Sequence, residues 1–326
     1  MRFRRHVLQI LFAAAGLVLL VLLVRRVGPA ALLELLRAAA PALPGVLLLE
    51  GARIWLEAAA TWLLLHGRSG AGEFAPVLRA QLASYAVCQA APAGRPAAEA
   101  LKAGLLEAEA PPAVRAAAAI GSQGLALVAV AIVSFACAAA SYRIAGASVL
   151  TWTLAGHALA SGAAGLAIQL GGTRRTLGAF LRARLPRLAR VTGPVQRALL
   201  RRGAFPAAPL LAHVAARAVQ VVQIGLLAWA LVGSVPPVLT ALVANGVNLV
   251  GTAAGDLVPA HVGFPEGAMA LAAGPLGLSV SVAVALALAL HAVQLLWVAA
   301  GALTPLVWRR RPGASSPRIR HTVIAS

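Results

Sequence analysis

Residues 92–99 read PAGRPAAE, and residues 259–266 read PAHVGFPE. Both stretches begin Pro-Ala and end in Glu, and in each the Glu stands seven positions after the first Pro. Acids are scarce in this chain, with Asp and Glu together numbering 9 in 326 residues. Both stretches are flanked by apolar sequence, so the repeated spacing bears on how the whole chain is laid out.

Working outward, the composition is that of a membrane protein. The chain is 60% hydrophobic and 11% charged, with a mean hydropathy of +0.86, whereas a soluble domain is about one-quarter charged. The net charge of +19 comes almost wholly from Arg, because Lys102 is the only Lys. In a soluble protein such a balance would point to nucleic acid. Here the gathering of positive charge in cytoplasmic loops, against anionic lipid heads, accounts for it, and no nucleic-acid partner is expected. Cys88 and Cys137 lie in apolar segments with neither disulfide nor metal spacing, and read as small packing residues.

Apolar runs predict spans over 7–24, 42–66, 113–140, 147–170, 206–232 and 279–307. The first resembles a signal peptide, but its uncharged core from Val7 to Val24 would extend roughly 27 Å as helix, and no small-x-small cleavage site follows. We read it as an uncleaved first transmembrane helix. Residues 29–41 predict a short interfacial helix, with Glu34 and Arg37 at i,i+3. Arg2, Arg4 and Arg5, nine arginines without an acid between 174 and 202, and the arginines from 309 to 320 all place their segments in the cytoplasm. Arg25, Arg26, Arg37 and Arg143 are the minority on the other side.

Parity then constrains the rest. Residues 67–112 must begin and end inside, and residues 233–278 must begin and end outside. Both segments are apolar and broken by Pro and Gly, which suits re-entrant hairpins whose non-helical backbone is buried in protein or lines a wet cavity. The expected fold is an all-α polytopic membrane protein of six full spans plus two re-entrant helical hairpins in an inverted repeat. It forms a single transmembrane domain over 1–308, with a basic cytoplasmic loop at 171–205 and a basic cytoplasmic tail at 309–326. The expected location is the cell inner (plasma) membrane, multi-pass, with both termini cytoplasmic.

At the two motifs the sequence resembles the transmembrane domain family of the lysylphosphatidylglycerol synthases, often called flippase-like. That family shows a Pro-rich first motif ending in an acid followed by Arg, and a second Pro-Gly-Gly-x-Gly-x-x-Glu-like turn before a long helix. Here the first is PAGRPAAEALKAGLL (92–106), with Glu99 and with Lys102 where Arg is usual. The second is PAHVGFPEGAMALAAGPLGLS (259–279), which keeps Pro259, Gly263 and Glu266. Ala260 and His261 replace two glycines, and His291 stands where the last helix often carries Arg. The likeness covers residues 7–308. It implies a lipid-translocating domain, and residues 308–326 leave no room for the synthases' acyltransferase-like domain, so we expect the transport half without the enzyme half.

The candidate substrate-binding residues are Arg95, Glu99, Lys102, Arg217, Glu266 and His291, with Pro92, Pro259, Gly263, Asn248 and Asp256 shaping the motifs. Glu99 and Glu266 either face a central cavity from the hairpin tips or sit in first helical turns where the dipole favours negative charge. Arg95 and Lys102 are natural phosphate binders, although Lys102, three residues after Glu99, can equally pair with it. Arg217 shares a helix face with His213 and Gln220. It is expected to pair with Glu266 or to bind lipid phosphate, the alternative being to snorkel towards the cytoplasmic boundary. Glu50, Arg53 and Glu57 form a stripe that reads as an internal salt bridge holding helices together, and Asn245 and Asn248 can satisfy broken-helix backbone. His291, with Gln294 on its face, is a phosphate partner, a proton carrier or a packing residue. Asp256, His261 and Glu266 are spaced five and five, unlike a helix-face ligand pair, so no metal is expected.

Three functions compete. The first is a flippase-like translocase for an anionic phospholipid, polyprenyl lipid or glycolipid. With no P-loop in the sequence, it would be driven by a proton or a lipid gradient, without a cofactor. The second is an accessory membrane subunit of a lipid-modifying enzyme, which would make that enzyme a partner. The third is a lipid-diphosphate phosphatase, whose Pro-Gly-x-Ser-Arg pattern is missing from both motifs. The first reading makes the protein a transporter and not an enzyme.

Overall fold

The computed structural model describes residues 2–66, 73–91, 94–106, 109–173, 186–202 and 205–307, and the described residues are helical throughout apart from connections. Pro92, the first part of the basic loop and the tail at 309–326 lie outside them. The chain begins with α1 (Arg2–Val27) and α2 (Pro29–Ala39), separated at Gly28. A single 3₁₀ turn at Ala40–Ala42 leads into α3 (Leu43–His66). The next pair is α4 (Phe74–Ala90) and α5 (Gly94–Leu105), followed by the long α6 (Pro112–Ala145) and α7 (Val149–Thr173). After α8 (Pro186–Arg202) come α9 (Ala207–Val232), a second pair α10 (Val238–Ala254) and α11 (Phe264–Ala272), and finally α12 (Val280–Val307). The boundaries follow the punctuation of the sequence. Pro112 occupies the first turn of α6, where its missing N–H has no partner to lose, and Gly146 and Gly233 follow α6 and α9 with φ of +62° and +76°.

Among the described residues, four helical stretches are long and apolar enough to cross a membrane: Pro29–Leu65, Pro112–Ala145, Ala207–Val232 and Val280–Val307. The first corrects the picture of 29–41 as a separate surface element. Pro41 costs only one tightened turn, and α2 runs on into α3 while burying Leu32 and Ala39. Leu32 and Leu36 pack with Val284 and Ala285 of α12. Large apolar side chains such as Leu48, Trp152, Leu211 and Leu271 point outward, a surface suited to hydrocarbon and not to water.

The order long helix, helix pair, long helix occurs twice, as α3, α4–α5, α6 and as α9, α10–α11, α12. The packing matches this order. Helix α3 lies along α9, α4 packs on α12 while α10 packs on α6, and each helix pair is closed on itself. The largest cluster of buried apolar residues lies where these helices meet, with Ile224, Leu227, Met269, Leu286 and Leu290 at its centre. Between helices already in lipid, such contacts stabilise by close packing more than by removal from water. Helix α7 flanks α6, and a Cβ at Gly165 would meet the Gly124 carbonyl oxygen at 2.8 Å, so both small residues are needed for that approach.

Helix α1 closes on the second pair. Gly263, the residue before α11, has φ +87°, and a Cβ on it would overlap the carbonyl oxygen of Gly16 in α1. A Cβ on Gly16 would in turn overlap the Val262 carbonyl oxygen. Two backbones therefore touch where a motif glycine was read from sequence, and position 263 takes Gly for both its conformation and its clearance.

Candidate functional site

The site grows from one stripe on α3. Residues 50, 53 and 57 are spaced to share a face, and each finds a partner there. Arg53 Nη2 donates to Glu50 Oε1 at 2.6 Å, Nε donates to Glu50 Oε2 at 3.0 Å, and Nη1 donates to Glu57 Oε1 at 2.7 Å. Glu50 is fully buried and also accepts from Tyr85 Oη at 2.8 Å and Gln223 Nε2 at 3.0 Å. A charge at this depth persists only when surrounded by donors, and Glu50 has them. The Tyr85 ring lies 5.4 Å from the Arg53 guanidinium carbon.

Glu57 carries the network to other helices. It accepts Arg217 Nη2 from α9 at 2.5 Å and Gln81 Nε2 from α4 at 3.2 Å. Arg217 Nη1 reaches Gln220 at 2.7 Å. Lys102 of α5 is almost fully buried and donates to Glu99 at 2.8 Å and to Gln81 Oε1 at 3.1 Å. Ser122 of α6 lies 3.1 Å from His213 Nε2.

The two helix pairs meet across this network. Arg95 Nε stands 3.5 Å from Asp256 Oδ1, and Asp256 also meets His261 Nε2 at 3.2 Å. Between them and the polar helix faces is a cavity of about 330 Å³. Its wall includes the cations Arg53, Arg95, Lys102 and Arg217, the carboxylates Glu57, Glu99 and Asp256, and the histidines 157, 213, 261 and 291. Some hydrogen-bonding capacity on this wall is unused. Arg217 Nε, Arg95 Nε, Glu99 Oε2 and His213 Nδ1 are buried atoms without a hydrogen-bond partner, and such groups are costly unless something else occupies the space beside them.

Arg95, Glu99, Lys102, Arg217 and His291 thus come to one cavity, together with Asn248 and Asp256. Glu266 does not line it. It is fully buried behind His291, with Oε1 2.8 Å from His291 Nδ1 and Oε2 accepting the Gly263 N–H at 2.9 Å. It therefore caps α11 in the manner of a capping box and fixes the imidazole. Pairing of Arg217 with Glu266 is also corrected. Because α9 lies along α3, Arg217 faces Glu57, and at 13% side-chain exposure it does not snorkel to a boundary. Lys102 takes the alternative of pairing with Glu99. Asp256 and His261 do pair, but Glu266 is turned away from them to His291.

Several wall residues were not singled out from the sequence. Gln81, Tyr85 and Gln89 recur every four residues along α4, a polar face in an apolar helix that a periodicity reading can find. Gln123, Ser122 and His157 gave no such pattern.

The turn before α11 shows what the departure from two glycines costs. Ala260 and His261 both have positive φ, +55° and +56°, at the positions where glycines were expected. A left-handed residue with a Cβ costs about 1–2 kcal/mol, partly offset by glycine's greater freedom in the unfolded chain. Ala260→Gly is therefore expected to stabilise the protein by about 0.5–1 kcal/mol, seen as a higher thermal unfolding midpoint in detergent. A lower midpoint would contradict the assigned backbone.

Fold and site together define a helical membrane protein with a charged cavity clasped between two helix pairs. The family model for the lysylphosphatidylglycerol synthase TM region matches residues 7–301, and the chain belongs to that family. No curated protein and no solved structure gives a match.

Proposed function

We propose that this protein carries an anionic lipid across its membrane, as a flippase-like transporter that makes and breaks no covalent bond. The observation supporting this is the meeting of two helix pairs over a buried cavity whose arginines retain unused donors. Arg presents a planar fork that matches phosphate oxygens, and Arg95 and Arg217 line that cavity from different halves of the chain. The substrate class is a phosphate-bearing headgroup on a hydrocarbon anchor: an anionic phospholipid, a polyprenyl lipid or a glycolipid.

In this reading residues 1–308 form one transmembrane domain in the inner membrane, with both termini cytoplasmic. The pairs α4–α5 and α10–α11 are re-entrant hairpins within inverted halves, and six further helices span. The matched packing of α4 on α12 and α10 on α6 supports that arrangement. Arg95 and Asp256 are each about two-fifths exposed, so their contact is a weak latch between the hairpins. A lipid phosphate competes with Asp256 for Arg95, and release of the latch lets the hairpins part on one face. A proton at Glu99 or at the Glu266–His291 pair, or a downhill lipid gradient, supplies direction.

The test is reconstitution into liposomes with fluorescent phosphatidylglycerol and a membrane-impermeant quencher. Protein-dependent loss of the protected inner-leaflet signal is expected. Folded protein giving no more movement than empty liposomes would overturn the proposal.

A further inference from the structure

A second cavity, about 490 Å³ and apolar, opens beside the charged one. Its walls are Pro96, Ala100 and Ala103 of α5, Ala116 and Ala119 of α6, and Ile168 of α7. The two cavities share Arg95, Glu99 and Gln123, so polar chamber and apolar groove adjoin at those side chains. At the far end Arg115 Nη1 donates to the Ala103 carbonyl at 2.6 Å and ties the last turn of α5 to α6. The groove is thus a slot between two helices that touch beyond it. The run of alanines keeps it open, since a larger side chain on either wall would fill it.

We infer that this slot holds one hydrocarbon chain of the lipid whose headgroup occupies the charged cavity, and that the gap between α5 and α6 is the lateral doorway by which that lipid enters. The inference rests on the lipid-binding reading of the cavity and extends it to the tail. Three features select this occupant. The slot faces outward through apolar residues, among them Ile120 at 42% exposure. It adjoins a chamber fit for an anion. At the junction stand Arg95, whose Nε lies 3.5 Å from Asp256 without a hydrogen bond, and Glu99, whose Oε1 is held by Lys102 while its buried Oε2 has no hydrogen-bond partner. A cation and a free acceptor side by side suit a headgroup with a phosphate and a neighbouring hydroxyl or amine. Helix α8 packs on α6 and α7, the helices that supply Ala116, Ala119 and Ile168 to the slot, and its Arg197 and Arg201 are exposed.

The full chain is placed in phosphatidylcholine nanodiscs with a trace of phosphatidylglycerol carrying a diazirine part-way down one acyl chain. A phosphatidylcholine with the same tail serves as control. After irradiation, peptides covering residues 94–106 and 112–123 are examined by mass spectrometry. The phosphatidylglycerol probe is expected to label them about tenfold more than the control, and Arg95→Ala to remove about that advantage, as loss of a charge-assisted bond implies. Ala103→Trp, which fills the slot, abolishes the labelling, and Ala116→Leu on the opposite wall replaces it if the tryptophan variant does not fold. Equal labelling by both probes would mean contact with bulk lipid only and would overturn the inference. The readout is binding, so selective labelling without translocation would count against transport alone. Translocation that survives a filled slot would count against the slot alone.

Discussion

Replacing Arg53 by leucine is expected to cost about 3–5 kcal/mol of stability, the usual penalty for removing one partner of a buried ion pair. Arg53 is 6% exposed and bridges Glu50, which is fully buried, and Glu57. Without it Glu57 still has Arg217 and Gln81, but Glu50 keeps only the neutral donors Tyr85 and Gln223. The loss therefore falls on Glu50. Thermal unfolding in detergent checks the effect as a fall of several degrees. The double variant Glu50→Leu with Arg53→Leu should recover much of it, because removing both charges leaves no unpaired ion. An unchanged midpoint in Arg53→Leu alone would show that Glu50 does not depend on this cation.

The second large effect is on transport. Arg217→Ala is expected to slow lipid translocation by roughly ten- to a hundredfold, the equivalent of one or two charge-assisted hydrogen bonds. Arg217→Lys should keep the pair with Glu57 but lose the planar fork, and so recover only part of the rate. To separate site from fold, both variants are compared at equal thermal stability and over a range of lipid concentrations. A rate unchanged in Arg217→Ala would remove Arg217 from the substrate path.

Much of the architecture could be read from residue order because lipid imposes a simple rule: a helix that crosses must be apolar for about 18 residues or more. The six apolar runs all coincide with helices, and the breaks at Pro and Gly mark the two helix pairs. The cavity residues were legible for the converse reason. A charge within an apolar run is expensive, so Arg95, Glu99, Lys102 and Arg217 stand out without an alignment. The Glu99–Lys102 pair was legible too, from its i,i+3 spacing, but partners on other helices were not, since such a pairing depends on which helices lie together. Glu57 reads as part of a salt-bridged stripe holding helices together, but its partner Arg217 is named only by the packing of α3 along α9. Glu266 shows the opposite case. Its position seven residues after a Pro matched that of Glu99, yet the capping of α11 draws it inward while Glu99 stays on the cavity wall.

The glycine contact between α1 and the residue before α11 has a consequence for biogenesis. Positions 16 and 263 are separated by most of the chain, yet their backbones abut. Residue 263 is made well after residue 16, so this seam can close only once the second helix pair has been synthesised. An insertion machinery that released the nascent protein before that point would leave the seam unzipped.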